Sequence, residues 1–124
     1  GDDLFGIVEL KSINSSFGNN ANNRSEEVLG SAVDTLSAVK YKLIPSVTTP
    51  PALGYVLVVR INEESTRLAR ARETVYPVDR VFTDTSYFER LTILCHRLIV
   101  ERLYQAVWIV GVDPESGDVF EPDL

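Results

Sequence analysis

Two oppositely charged residues, Glu9 and Lys11, flank Leu10 near the start of the sequence. Residues 4–11 are rich in strand-forming types, and residues two apart in a strand project from the same face. A carboxylate on that face suits Mg²⁺, which takes oxygen ligands and retains several waters. A neighbouring ammonium can orient a metal-bound water or offset negative charge on a phosphate. The pair therefore has the chemistry of metal-dependent phosphodiester hydrolysis, although a solvated strand end with two opposite charges would have the same sequence.

A polar segment, residues 12–23, follows the predicted strand and consists almost entirely of Ser, Asn and Gly, which predicts a loop. Asn side chains can read adenine in the major groove or contact phosphates, as can an arginine. Asn and Gly also favour tight turns for purely conformational reasons, so a structural role stays open. The candidate DNA-contacting residues are Ser12, Asn19, Asn20, Asn22, Asn23 and Arg24.

Basic residues also cluster in the middle of the chain, at Arg67, Arg70 and Arg72. They are candidates for phosphate contacts, with a solvated loop as the equal alternative. The formal net charge of −6 argues weakly against nucleic-acid binding. Acidic residues gather at the two ends of the chain, however, so the charge balance does not exclude a DNA-binding protein.

The single cysteine, Cys95, excludes an internal disulfide and a zinc cluster within the sequence. Its neighbour His96 does not form a catalytic pair with it, because adjacent helix residues point about 100° apart. We therefore interpret Cys95 as a small core residue.

The order of predicted elements is strand, helix, strand, helix, strand, which indicates an α/β fold with a mixed or parallel sheet flanked by helices. Ser25 is the expected cap of the first helix, with Glu26 and Glu27 in its first turn. The second strand is a continuous apolar run, typical of a strand buried on both faces. The predicted strands are 4–11, 53–61 and 107–112, and the predicted helices are 25–40 and 86–107.

The 124 residues are the length of one domain. No apolar stretch has the length of a membrane span, and no secretory signal pattern is present, so we expect a cytoplasmic protein with no membrane partner.

Three blocks of the sequence resemble the XhoI family of Type II restriction endonucleases and follow the order in which that family has them. The run Ser16-Phe17-Gly18-Asn19-Asn20-Ala21-Asn22-Asn23-Arg24 is unusual enough to be specific. The blocks are residues 7–12 with 16–27 and 30–32, then residues 53–55, and finally residues 86–87 with 94–98 and 101–104.

The resemblance implies a restriction-endonuclease-like core of the PD-(D/E)xK class, in which Glu9 and Lys11 are the Glu-x-Lys pair. It implies Mg²⁺ as cofactor, with Glu9 and the backbone carbonyl of Leu10 as metal ligands. It further implies a prokaryotic homodimer that cuts a palindromic site in double-stranded DNA. A cognate DNA methyltransferase would protect the same site.

The sequence departs from the family's pattern in two places. The family's metal-binding Asp precedes the Glu-x-Lys strand, whereas residues 1–3 have the composition of a turn. We therefore expect residues 1–124 to be one nuclease-core domain, truncated at its N-terminal side. Ile13 stands where the family suggests a Gln near the catalytic edge.

Two other functions remain compatible with the residues. A catalytically incomplete remnant could retain the fold and act as a DNA-binding or dimerisation module. A repair or recombination nuclease could share only the core, and it would not need the Asn-rich block.

Overall fold

The computed structural model describes residues 4–44, 49–69 and 77–124. Four strands form one sheet in the order β1-β2-β3-β4, with the first three parallel and the last antiparallel. The α/β prediction, with a mixed sheet flanked by helices, is confirmed. The elements are β1 (Gly6–Ile13), α1 (Phe17–Lys40), β2 (Ala52–Arg60), α2 (Glu63–Thr66), a 3₁₀ turn (Arg80–Phe82), α3 (Tyr87–Val100), β3 (Ala106–Val112) and β4 (Val119–Phe120).

The core lies between one face of the sheet and the helices α1 and α3. Alternate β2 side chains, from Leu53 to Val59, are buried on that face together with Ile13 and Ile109. The opposite face is open, because Val8 is 70% exposed and Trp108 is 50% exposed. The prediction that β2 is buried on both faces is therefore wrong for the described residues, where only one face is covered.

Helix α1 begins eight residues earlier than predicted, because residues 17–23 are its first two turns. The predicted loop is therefore wrong over these residues. Asn and Gly have low helix propensities, but burial of Phe17, which is 0% exposed, anchors the start of the helix against α3. Ser16 precedes it in a left-handed conformation, with φ at 52°, and lets the chain turn sharply out of β1.

The predicted cap at Ser25 is also wrong, since this residue lies inside α1. Its hydroxyl donates to the carbonyl of Ala21 at 2.8 Å, one turn earlier. Glu26 and Glu27 consequently lie in the third turn rather than the first. This shift moves both carboxylates away from the helix start and brings Glu27 towards β1.

Helix α3 starts where its sequence predicts, with Ser86 and Glu89 forming reciprocal capping hydrogen bonds. It ends at Val100, not at residue 107, because Arg102 adopts a left-handed conformation with φ at 56°. Cys95 is fully buried in the core as expected, and burial raises the pKa of its thiol to about 12. The thiol is therefore protonated at neutral pH and unsuited to nucleophilic catalysis.

Among the described residues, no helix combines the length and apolar character needed to cross a membrane.

Candidate active site

Strand β1 directs Glu9 and Lys11 to the same, helix-covered face, as the alternation of a strand requires. The Lys11 Nζ lies 3.2 Å from Glu9 Oε1. The Glu9 side chain is only 18% exposed, so its carboxylate lies in a recess rather than at a solvated strand end. Ser12 has the opposite parity and is exposed on the other face, so the structure does not bring it to the pair.

Helix α1 contributes two further charged residues to this recess. The Lys11 Nζ lies 3.4 Å from Glu27 Oε2, and the Arg24 guanidinium hydrogen bonds to the same Glu27 oxygen. Arg24 and Glu27 are three residues apart, which places them on neighbouring positions of a helix surface. The side chains alternate in charge from the Asn-rich turns of α1 to strand β1. We call this set the charge cluster; its members are Arg24, Glu27, Lys11 and Glu9.

Sequence reasoning missed the role of Glu27 because the helix was expected to start at Ser25. With α1 placed correctly, the Arg24–Glu27 spacing of three residues is a signal that could have found the pair. Arg24 itself was predicted to contact DNA, but its charge is balanced by Glu27 in the structure.

The charge cluster shifts two protonation equilibria in opposite directions. The hydrogen bond to Glu9 raises the pKa of Lys11 above its usual value of 10.5, with a further contribution from Glu27. Burial acts to raise the pKa of Glu27, but Arg24 and Lys11 outweigh it and hold that pKa below its usual value of 4.5. At neutral pH both groups are therefore charged, and Lys11 is an ammonium available to a phosphate or a water.

These pKa shifts predict a window of pH in which the charge cluster stabilises the fold. The raised pKa of Lys11 means that its contribution is present below pH 10.5 and is lost at higher pH. The lowered pKa of Glu27 means that its contribution is present above pH 4.5 and is lost on acidification. We expect the unfolding free energies of the wild type and Glu27→Gln to converge below pH 4.5 in urea titrations. A difference that persisted unchanged into strong acid would contradict the assignment.

Two buried tyrosines form the inner wall of the recess. The Tyr104 hydroxyl donates to the carbonyl of Val28 at 2.9 Å and lies 3.4 Å from Glu9 Oε2. Tyr55 is the register partner of Glu9 on β2, and its ring centroid lies 5.7 Å from that of Tyr104. Burial raises the pKa of Tyr104 to about 12, helped by Glu9, and raises that of Tyr55 further still. Both hydroxyls are therefore neutral donors at physiological pH.

The oxygen donors at this place are of the type that Mg²⁺ prefers. The carbonyl of Phe5 accepts a hydrogen bond from the Ala52 N–H of β2. The alternation along β1 therefore directs the Leu10 carbonyl to the opposite edge, where no strand among the described residues pairs with β1. Glu9 and Leu10 thus offer one carboxylate and one carbonyl oxygen at an edge strand. No group of three or more His, Cys, Asp or Glu residues suited to a metal occurs in the parts of the chain that the structure describes.

The predicted DNA-contacting asparagines lie on a helix instead of a loop. Asn19, Asn22 and Asn23 are exposed on the first two turns of α1, at spacings of three and four residues. Asn20 has a structural role, because its side-chain amide donates to the carbonyl of Ser15 at 2.6 Å. The Asn-bearing turns adjoin the charge cluster, since Asn23 is followed directly by Arg24.

Arg70 and Arg72 fall outside the residues that the structure describes. Arg67 is exposed and follows the short helix α2. Ile13, where a Gln was expected, is a core residue with 1% exposure, so this position is used for packing.

Comparison with known proteins matches residues 1–120 to the family model described as restriction endonuclease XhoI. The Type II restriction enzyme BstVI of Geobacillus stearothermophilus is 36% identical over 115 residues, which cover 92% of this chain and 51% of that enzyme. The Type II restriction enzyme XhoI of Xanthomonas vasicola is 38% identical over 125 aligned positions, covering the whole chain and 46% of that enzyme. The chain thus spans about half the length of these relatives. No solved structure matches it significantly.

Proposed function

This chain belongs to the XhoI restriction endonuclease family, and on that premise we propose that it supplies the catalytic core of a Mg²⁺-dependent, site-specific endonuclease acting on double-stranded DNA. The observation that supports this function best is the contact between Glu9 and Lys11 at 3.2 Å, in a recess at an edge strand. Both curated relatives bear the name of Type II restriction enzymes, in agreement with the proposal.

In the proposed site, Glu9 and the Leu10 carbonyl hold the metal. The bound ion would supply an activated water and offset charge on the reacting phosphate. Lys11 projects from the same face of β1 as Glu9, and it presents a positive charge to the scissile phosphate or to the attacking water. Glu27 restrains the ammonium from the helix side at 3.4 Å.

The asparagine face of α1 is the proposed DNA-reading surface. Asn19, Asn22 and Asn23 present amide groups that can pair with adenine in the major groove, and a helix fits that groove. These residues weaken the helix, because Asn is less favourable than Ala by about 0.7 kcal/mol at an interior position. Contact with DNA would explain why residues that destabilise the helix occupy these exposed positions. Arg70 and Arg72 remain proposed DNA contacts. Ser12 is a proposed contact as well, although its side chain lies on the opposite face of the sheet from Glu9 and helix α1.

Replacing Asn23 with Ala is expected to change DNA affinity and helix stability in opposite directions, so the two effects can be told apart. We expect the melting temperature of Asn23→Ala to rise, because alanine favours the helix. Affinity for cognate DNA should fall, with a loss equivalent to about 1–3 kcal/mol if Asn23 reads a base. Calorimetric melting and fluorescence anisotropy with duplex DNA measure the two effects.

Gly30→Ala is the matched control, because Gly30 is exposed further along α1 and a new Cβ there meets nothing within 4 Å. It should stabilise the helix and leave DNA affinity unchanged. Unaltered DNA binding in all three variants Asn19→Ala, Asn22→Ala and Asn23→Ala would exclude the asparagine face as a reading surface.

The proposed assembly is a homodimer that cuts a palindromic site, accompanied by a DNA methyltransferase of the same specificity in a prokaryotic cytoplasm. Twofold symmetry of the protein would match twofold symmetry of the site. Supercoiled plasmid incubated with the complete gene product tests the activity. We expect discrete fragments with Mg²⁺ and intact plasmid with EDTA; identical smears under both conditions would contradict site-specific, metal-dependent cutting.

A second candidate function is a DNA-binding or dimerisation module without catalysis. The observation in its favour is that Glu9 and Glu27 are the carboxylates that contact Lys11, and Glu27 is itself paired with Arg24. Glu9 is then the one carboxylate of the charge cluster that is not paired with Arg24, and it already contacts Lys11, so most of the octahedral coordination of Mg²⁺ would be left to water or substrate phosphate. Specific DNA binding without cleavage in Mg²⁺ would favour this alternative.

A further inference from the structure

The Tyr104 hydroxyl lies where strand β1, helix α1 and the turn before β3 meet. It donates to the Val28 carbonyl at 2.9 Å and lies 3.4 Å from Glu9 Oε2. The residue is 3% exposed, and its backbone is fixed by a hydrogen bond from its N–H to the Leu98 carbonyl at 3.2 Å. The hydroxyl therefore has a defined place beside the proposed metal ligand.

The two oxygens of Glu9 face different partners. Lys11 Nζ lies 3.2 Å from Oε1, and the Tyr104 hydroxyl lies 3.4 Å from Oε2. Contacts at both oxygens restrict rotation of the carboxylate plane, a torsion that is otherwise soft. We propose that Tyr104 is a positioning residue that holds the Glu9 carboxylate in the orientation in which it binds the metal. The inference rests on the proposed function of Glu9.

The hydroxyl has one proton and two acceptors, the Val28 carbonyl and Glu9 Oε2. The hydroxyl can donate to only one of these acceptors at a time, and the 2.9 Å contact to the Val28 carbonyl is the shorter of the two. Rotation about the phenolic C–O bond lets the hydroxyl donate to Glu9 Oε2 in place of the Val28 carbonyl, so the same hydroxyl can serve the carboxylate or helix α1 in turn. Groups that orient a metal ligand in this way typically change metal affinity by 10-fold to 100-fold when removed.

Tyr55 offers a matched comparison in the same recess. It is 1% exposed, contacts the Tyr104 ring and lies across from Glu9 in the strand register. Its hydroxyl is buried and has no hydrogen-bond partner among the described residues. Removing it deletes a buried tyrosine hydroxyl without deleting a contact to Glu9. Tyr55→Phe therefore reports the effect of the lost hydroxyl alone.

The test compares Mn²⁺ binding by the wild type, Tyr104→Phe, Tyr55→Phe and Glu9→Gln, measured from the electron paramagnetic resonance signal of free Mn²⁺. Tyr104→Phe keeps the ring and its packing, and circular dichroism verifies that each variant is folded. We expect Glu9→Gln to lose the site, Tyr104→Phe to raise the dissociation constant on the order of 10-fold, and Tyr55→Phe to match the wild type.

The outcomes separate this inference from the proposed function. Wild-type affinity in Tyr104→Phe, with loss of the site in Glu9→Gln, would overturn the positioning role and leave the function intact. Equal weakening by both tyrosine variants would also overturn it, because a general packing effect would then suffice. Undiminished Mn²⁺ binding by Glu9→Gln would instead overturn the metal assignment in the proposed function.

Discussion

Lys11→Ala is expected to lower the rate of Mg²⁺-dependent DNA cleavage by the complete gene product on the order of 10²-fold to 10³-fold, as loss of a transition-state stabilising charge does elsewhere. The ammonium lies 3.2 Å from Glu9, whose carboxylate raises the pKa of Lys11 above its usual value. Its removal deletes the positive charge proposed to face the scissile phosphate. Initial rates on a plasmid substrate at saturating Mg²⁺ measure the effect.

Lys40→Ala is the matched control, because Lys40 is an exposed lysine at the far end of α1. It should cut at the wild-type rate. Stability does not confound the comparison, since ion pairs of partly exposed side chains contribute about 1 kcal/mol or less. Wild-type rates for Lys11→Ala would refute the catalytic role of the lysine.

Phe17→Ala is expected to lower the free energy of unfolding by about 3–5 kcal/mol, the range for large-to-small substitutions of buried aromatics. Phe17 is 0% exposed, and its ring stacks on Tyr87 of α3 with centroids 6.4 Å apart. It is the first residue of α1 and anchors turns that are otherwise built from poor helix formers. A loss of this size is a large share of a typical domain's stability.

Val33→Ala provides the comparison on the same helix, because Val33 is 57% exposed and little contact area is lost. Its effect on unfolding should lie within about 0.5 kcal/mol. Urea unfolding followed by circular dichroism measures both variants. An effect of Phe17→Ala as small as that of Val33→Ala would show that the Asn-rich turns are not anchored by this side chain.

Local sequence patterns were sufficient to predict the three parallel strands and the shared face of Glu9 and Lys11, but not the two-residue strand β4. Strands β2 and β3 are short apolar runs between turns, and the period of two along β1 places the two charged side chains on one face. Both signals lie within a few neighbouring residues. Both signals can therefore be recognised without knowledge of the tertiary structure.

The start of α1 could not be predicted in this way, because its first turns violate helix propensity. Gly18 and the asparagines favour a loop locally, but burial of Phe17 against α3 outweighs that preference. The early start of the helix brings Glu27 to Lys11. Misplacing the helix therefore also concealed the charge cluster.

Two other features depend on geometry that no local pattern specifies. The apolar periodicity of α3 continues past Val100, but Arg102 takes a left-handed conformation that is uncommon for a residue other than glycine. Tyr104 contacts Glu9 across a separation of 95 residues, and this contact arises only when the sheet and both helices are assembled.

Fe²⁺-directed cleavage of the polypeptide shows whether a divalent metal binds at Glu9 and Leu10. Fe²⁺ in the presence of ascorbate and peroxide generates hydroxyl radicals that cut the backbone near the bound ion. We expect cuts within β1 around Glu9 and Leu10, and a weaker cut near Tyr104, whose hydroxyl lies 3.4 Å from Glu9. Excess Mg²⁺ should suppress them, and Glu9→Gln should remove them. Mg²⁺-sensitive cuts confined to other parts of the chain, or unchanged by Glu9→Gln, would contradict metal binding at Glu9 and Leu10.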